Sequence, residues 1–320
     1  MSGGCAEPGA LGSPEAAGNR AVRDPRASWG ISVYGAVGPE ECIAVRIYIS
    51  ADMEGITGLV DAADVQPDGR DYERGRLMMA EDVNAAVRGA VAAGATDILV
   101  NDAHGPMRNI PPEALDPRAR MVRGRPKPMG MLEGLTAEHD AMVCVGYHSR
   151  AGVLGVLSHS FMGHEIEDIW LDGRPVGEIG FAHATAAWLG VPVVALTGDD
   201  AACAEMSAWA GGVRTVAVKQ ARDRFAAELR PPAEARRDIE ETVATGLSAV
   251  PKARAATAGS ATLAVRWQSA SVAAVLLGIP GVTATDSRTV RAQGELPALY
   301  RQFGVWTRVA SSLANQRPYC

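Results

Sequence analysis

A chain of 320 residues, 47% apolar and 21% charged, can bury a large core and has the balance of an ordinary globular protein. Its formal net charge of −6 comes without a Lys/Arg block, so a nucleic-acid or anionic-membrane partner has no electrostatic footprint. No apolar stretch approaches the ~20 residues of a membrane span. The five cysteines, Cys5, Cys42, Cys144, Cys203 and Cys320, are scattered and form neither a disulfide framework nor a CxxC knuckle. That usage fits a reducing, cytoplasmic setting.

Residues 1–44 are rich in Gly, Pro, Ala, Ser and Arg, lack periodicity and lack the apolar run of a signal peptide. They read as a disordered N-terminal extension. From Arg46 the pattern is strand, then helix, repeated. The apolar run Ile47–Ile49 leads through small residues into Asp52-Met53-Glu54, with Gly55 and Gly58 behind it. Arg70–Ala93 carries apolar residues at helical spacing and stops at Gly94. Strand Asp97–Val100 runs into Asn101-Asp102-Ala103-His104-Gly105. A Pro-rich connection, Ile110–Pro128, leads to a short helix near Met131–Glu133.

Strand Ala141–Val145 ends in Gly146-Tyr147-His148, and a glycine-punctuated loop then holds Ser158-His159-Ser160. Strand Asp168–Leu171 precedes Gly177-Glu178-Ile179-Gly180, which opens an Ala-rich helix to Leu189. Strand Val193–Leu196 and helix Ala201–Ala210 follow, with Asp199-Asp200 placed to cap the helix. Strand Val213–Val218 leads to a long polar helix over Arg222–Val250, interrupted near Pro231-Pro232. Strand Ala261–Trp267, helix Ser271–Leu277, strand Val282–Asp286 and helix Leu296–Leu313 complete the chain. Alternating β and α predicts an α/β fold, with a mostly parallel central sheet covered by helices on both faces and a smaller C-terminal α/β portion. One domain over residues 45–320 is expected, with a subdomain starting near residue 255.

Three strands end in potential metal ligands: Asp52 with Glu54, His104, and His148. Side chains alternate along a strand, so Asp52 and Glu54 project to one side, where two anions repel unless a cation or a shared proton holds them. A polar strand end entering a Gly-rich turn would also read D-x-E. Open α/β sheets bind ligands at the carboxyl ends of their strands, which lets these distant residues converge. Glu178, at a helix start, adds a carboxylate, although a first-turn acid that favours the helix dipole reads the same way. Imidazoles and carboxylates together suit zinc. The set Asp52, Glu54, His104, His148 and Glu178 is sufficient for a binuclear site if Asp52 bridges. Asp102 and Asn101 are candidates for orienting a ligating imidazole.

The stretches I-Y-I-S-A-D-M-E-G-I-T-G, R-D-Y-E-R-G-R-L-M-M, V-N-D-A-H-G, G-Y-H-S-R-A, S-H-S, R-P-V-G-E-I-G and A-V-K-Q resemble, in order, those of the DppA-type D-aminopeptidases, a family of binuclear zinc metallopeptidases. The resemblance covers about residues 45 to 320 and is looser after Gln220. It implies two zinc ions per subunit bridged by Asp52, with Glu54 and Glu178 completing one ion and His104 and His148 the other. It places the family's catalytic residue, described there as a nucleophile, at His159. It further implies hydrolysis of the N-terminal bond of short peptides such as D-Ala-D-Ala, and a ring-shaped homo-oligomer, a decamer of ten subunits in the best-known case. Phe161–Asp168 and the leading tail lie outside the matching stretches.

A metal-activated water makes a covalent acyl-imidazole unnecessary, so His159 is expected to give a proton to the leaving amine or to stabilise the oxyanion. The alternatives are an amide hydrolase of the same site acting on L- or non-peptide amides, and a non-catalytic metal-binding protein. A phosphate-binding α/β enzyme is disfavoured, because no P-loop or GxGxxG follows a strand.

Overall fold

The structure, a computed structural model, describes residues 45–250, 256 and 259–314. The N-terminal extension expected over residues 1–44 and the subdomain boundary expected near 255 lie outside the described residues. The strands are β1 Arg46–Ala51, β2 Asp97–Asp102, β3 Ala119–Val122, β4 Ala141–Tyr147, β5 Ile166–Leu171, β6 Arg174–Pro175, β7 Val193–Asp199, β8 Arg214–Asp223, β9 Ala226–Leu229, β10 Ser260–Trp267, β11 Thr283–Ala284 and β12 Thr289–Glu295. The helices are α1 Ala62–Val65, α2 Tyr72–Ala92, α3 Glu178–Trp188, α4 Asp200–Trp209, α5 Pro232–Ser248, α6 Ala270–Leu276 and α7 Leu296–Ala314.

Seven strands form the central sheet in the order β3-β2-β1-β4-β7-β8-β9. All neighbours are parallel except the β8–β9 hairpin. The chain winds outward from β1 through β2 to β3, then returns to lay β4 on the other side of β1. Strand order therefore reverses between β1 and β4, and the carboxyl ends of these strands open onto a crevice.

Period-two alternation divides the sheet's side chains between two cores. Ile47, Ile49, Val143 and Val145 pack with Met79 and Val83 of α2 and Ile239 and Val243 of α5. Tyr48, Met142, Cys144 and Tyr147 face the opposite way. They share a larger core with Phe181 of α3, Phe303 and Trp306 of α7, and Leu263, Val265 and Trp267 of β10. A mostly parallel sheet buried on both faces is what the β-branched strands predict. Among the described residues, no helix is long and apolar enough to cross a membrane.

The structure departs from expectation mainly at its polar edges. The C-terminal portion belongs to a second, antiparallel sheet ordered β11-β12-β10-β5-β6, and two of its strands come from residues 166–175. Within it, β12 reads T-V-R-A-Q-G-E, burying Val290 and Ala292 while exposing Arg291 and Gln293. Only those two apolar residues mark it as a strand. The long helix expected from Arg222 is also corrected. Residues through Asp223 extend β8, β9 forms a hairpin, and the helix begins at Pro232. Pro231-Pro232 therefore starts the helix rather than interrupting it, because proline lacks the N–H that a first helical turn leaves unused. The Pro-rich connection likewise contains β3, a short strand at the sheet edge.

Candidate metal centre

The switch point gathers the candidate ligands. Asp52 and Glu54 follow β1, His104 follows β2, His148 follows β4, and Glu178 opens α3. Strand alternation is not what pairs Asp52 with Glu54, because β1 stops at Ala51. Asp52 N–H extends the ladder by donating to Val145 C=O at 2.8 Å, and the chain then turns, with Ile56 N–H donating to Met53 C=O at 3.1 Å. This turn lies so close to β4 that only glycine fits at two positions. A Cβ on Gly55 would sit 2.0 Å from Tyr147 O, and one on Gly146, whose φ is +72°, would sit 2.4 Å from Asp52 O.

All five ligand candidates are at most 5% exposed. His104 Nδ1 lies 2.9 Å from Glu54 Oε2 and 3.3 Å from Asp52 Oδ1. His148 Nε2 lies 3.3 Å from Glu178 Oε2 and 3.5 Å from Asp52 Oδ2. Asp52 thus turns one oxygen to each imidazole. Two three-donor groups result, Asp52–Glu54–His104 and Asp52–His148–Glu178, each with its donor atoms within 4.8 Å of one another. This grouping sets each imidazole against its own carboxylate. The resemblance instead assigns both glutamates to one ion and both histidines to the other. A third group joins Glu54 and His148 to His159.

The backbone fixes which ring nitrogen of each histidine faces the acids. His104 Nε2 lies 2.9 Å from Val65 O, and His148 Nδ1 lies 2.9 Å from Ser149 O. A carbonyl only accepts, so each of these nitrogens carries a hydrogen, and the other nitrogen of a neutral ring presents its lone pair to carboxylates. Lone pair against anion is repulsive unless a cation lies between them. His148 Nε2 and Asp52 Oδ2 are also buried without a hydrogen-bond partner. The donor set therefore fits a divalent metal, with backbone carbonyls holding the rings in the ligating tautomer. Asn101 and Asp102 do not orient the imidazoles, contrary to expectation. Asp102 accepts from Asn109 N–H, Asn109 Nδ2 and Ile110 N–H, while Asn101 Oδ1 accepts from Lys127. Short local loops satisfy them before an imidazole comes within reach.

Without a metal, protons take the cation's place. Burial, reinforced by the Glu54 charge, pushes Asp52 up to about 7. Burial alone would depress His104 and His148, but the charges of Glu54 and Glu178 respectively outweigh it and hold both imidazoles well above their ordinary value. Burial opposes ionisation of Glu54 and Glu178 too, yet the adjacent histidines keep both below the usual carboxylate value.

His159 closes the site from above. Its ring stacks on His148 with centroids 4.2 Å apart and planes 12° apart. Nδ1 donates to Leu157 C=O at 2.9 Å, and Nε2 faces Glu54 Oε1 and Glu178 Oε1, each at 4.0 Å. Burial and the neighbouring His148 charge lower its pKa, so the ring is neutral at pH 7 with its lone pair on Nε2. Two anchors hold this loop. Phe161 N–H donates to Glu178 Oε1 at 2.6 Å, and Leu157 N–H donates at 2.8 Å to Arg224 O, at the tip of the β8–β9 hairpin.

Two buried lysines escaped the sequence reading as functional groups. Lys219 Nζ donates to the carbonyls of Glu54, Ile56 and Leu59, fastening the turn that carries two candidate ligands. Lys127 Nζ donates to Asn101 Oδ1, Asp102 O and Val122 O, fastening the strand end before His104. Burial pulls each down to about 8. The signal for Lys219 was its place at the end of an apolar strand, in A-V-K-Q, where a solvated lysine is out of place.

The chain is similar to known proteins in sequence and in fold. The D-aminopeptidase of Bacillus subtilis (strain 168) is 40% identical over 203 residues, which is 63% of this chain and 74% of the relative. The solved structure of the Zn-dependent D-aminopeptidase DppA from Bacillus subtilis, described as a self-compartmentalizing protease, superimposes with a TM-score of 0.81 at 34% identity. That match covers 86% of this chain and all of the other. The profile of peptidase family M55, the D-aminopeptidases, matches residues 45–303, and the chain belongs to that family.

Proposed function

We propose that this protein is a zinc-dependent aminopeptidase that hydrolyses the N-terminal peptide bond of short D-amino-acid peptides such as D-Ala-D-Ala, with two zinc ions held by Asp52, Glu54, His104, His148 and Glu178. One observation carries the reading. The two oxygens of a buried Asp52 are each shared with a different imidazole–carboxylate pair, an arrangement suited to two cations and costly without them. Membership of the D-aminopeptidase family supports the reaction class.

Zinc held by these residues would supply Lewis acidity and a water whose deprotonation falls in the neutral range. The chain's own residues supply the rest. His159 accepts a proton at Nε2, its one free ring nitrogen, and returns it to the leaving amine. This refines the expectation of a proton donor, because the neutral tautomer must take a proton before it gives one. Asp52, Glu54, His104 and Glu178 would hold metal at one end of the cavity, where the neutral free amine of a peptide's first residue can serve as a ligand, which favours aminopeptidase action.

A homo-oligomeric ring, ten subunits by the family resemblance, and a cytoplasmic location complete the proposal. Leu154, Phe225 and Leu229 are exposed on the loop before His159 and on the hairpin it touches, which supports assembly. The buried thiols of Cys144 and Cys203 support a reducing compartment. The test is elemental analysis together with hydrolysis of paired D-Ala and L-Ala dipeptides, with Asp52→Ala as control. Two zinc ions per chain and turnover of the D-dipeptide that Asp52→Ala abolishes are expected. A protein that binds no zinc removes the catalytic reading, and equal rates on both enantiomers remove the D-specific one.

A further inference from the structure

The candidate ligands open into a cavity of about 750 Å³, within the range of small-molecule sites and too small for folded protein. The acids lining it are Asp52, Glu54 and Glu178, all belonging to the metal centre, and its basic lining residues are Arg125, Lys127, Arg224 and Arg308. Lys127 is already engaged by three oxygens. Arg125 and Arg308 are not engaged in this way. Arg308 Nη2 makes a 3.3 Å bond to Lys127 O, which ties α7 to the loop following Pro126, and among the described residues neither guanidinium has a carboxylate partner. The two are close enough that Arg308, adding to burial, lowers the pKa of Arg125. Both residues keep much of their surface open to solvent on the cavity wall, and either guanidinium can take a carboxylate by bidentate hydrogen bonding.

We propose that Arg125 and Arg308 form a subsite for the free C-terminal carboxylate of a short peptide, so that the cavity reads both ends of its substrate. The inference rests on the aminopeptidase reading, which places the peptide's free amino end at the metal centre. A short peptide then reaches from the metal centre to the two arginines, and substrate length is set by that span. Peptides blocked at the carboxyl end lose one anchor.

The test compares a D-Ala dipeptide with its C-terminal amide on the full-length zinc-loaded enzyme. The wild type is expected to favour the free acid in kcat/KM by about a hundredfold, through KM. Arg125→Gln and Arg308→Gln each erode that preference by about tenfold and leave the amide unchanged. Calorimetric titration of the same proteins with a dipeptide whose scissile amide is replaced by methylene-amine, and with its amide, reads the preference without turnover. A double variant that keeps the preference, or one that slows acid and amide equally, overturns the subsite. Absence of turnover on both substrates counts against the aminopeptidase reading alone, and the titration still decides the arginines.

Discussion

The Lys219 ammonium donates to the main-chain carbonyl of Glu54 at 2.6 Å, reaching from β8 across the sheet to the turn that carries two candidate metal ligands. The same nitrogen reaches Ile56 O at 2.9 Å and Leu59 O at 2.5 Å, so each of its three hydrogens is used. Lys219→Met would leave three carbonyls short of a donor in a fully buried setting. A destabilisation of about 3 kcal/mol or more is expected from urea unfolding. Lys219→Arg should not restore it, because a planar fork does not fit a site built for a compact ammonium. An unchanged urea midpoint for Lys219→Met would show the clamp to be dispensable.

Stability of the metal-free protein should fall as pH rises from about 4 to 8. Folding raises Asp52 from 3.8 to about 7, so between those values the folded chain binds more protons than the unfolded one, and stability declines with pH. His104 and His148, held above their ordinary 6.5, contribute stability that is fully present below 6.5 and lost as pH passes their folded values. Zinc replaces these protons, so chelation should lower Tm more at pH 8 than at pH 6. Thermal unfolding with and without chelator checks this, and Asp52→Asn should flatten the metal-free profile. A chelator effect independent of pH would contradict it.

Gly146 should tolerate no side chain. Its φ of +72° and the 2.4 Å approach of a Cβ to Asp52 O combine backbone strain with a backbone clash at the residue shared by both donor groups. Gly146→Ala is expected to cost about 3 kcal/mol or more and to lower zinc content. Gly94 offers the comparison, because its φ of +91° is similar but nothing lies within 4 Å of its Cβ position. There Ala should cost about 1–2 kcal/mol, from the left-handed conformation alone, with zinc retained. Equal losses at the two sites would mean that the close approach to Asp52 is unimportant.

The parts of this molecule legible in its sequence are those where one local rule dominates. Apolar β-branched runs gave the strands around the switch point, and carboxyl-end placement predicted that Asp52, His104 and His148 would meet. Polar edges carried no such rule. The β8–β9 hairpin was hidden because Arg222–Leu229 has neither apolar alternation nor a two-residue glycine turn. The groups that orient the imidazoles were hidden for another reason. His104 and His148 are oriented by main-chain carbonyls of Val65 and Ser149, and a carbonyl has no sequence identity. Lys219 and Glu54 are 165 positions apart, so their contact is a product of topology.

His159 carries the sharpest prediction. Its Nδ1–H is committed to Leu157 O, and its Nε2 faces Glu54 and Glu178 at 4.0 Å, which suits a proton acceptor above the metal centre. It also shares a three-donor group with Glu54 and His148, so the same atom has the geometry of a ligand. His159→Ala separates the two roles. A proton shuttle predicts unchanged zinc content with kcat reduced about 10²- to 10⁴-fold. A ligand predicts that zinc content falls with activity. Because burial lowers the pKa of His159 below its ordinary 6.5, the wild-type rate should already be on its plateau at pH 7 and decline only on acidification. Near wild-type turnover in a zinc-replete His159→Ala enzyme would remove His159 from the mechanism.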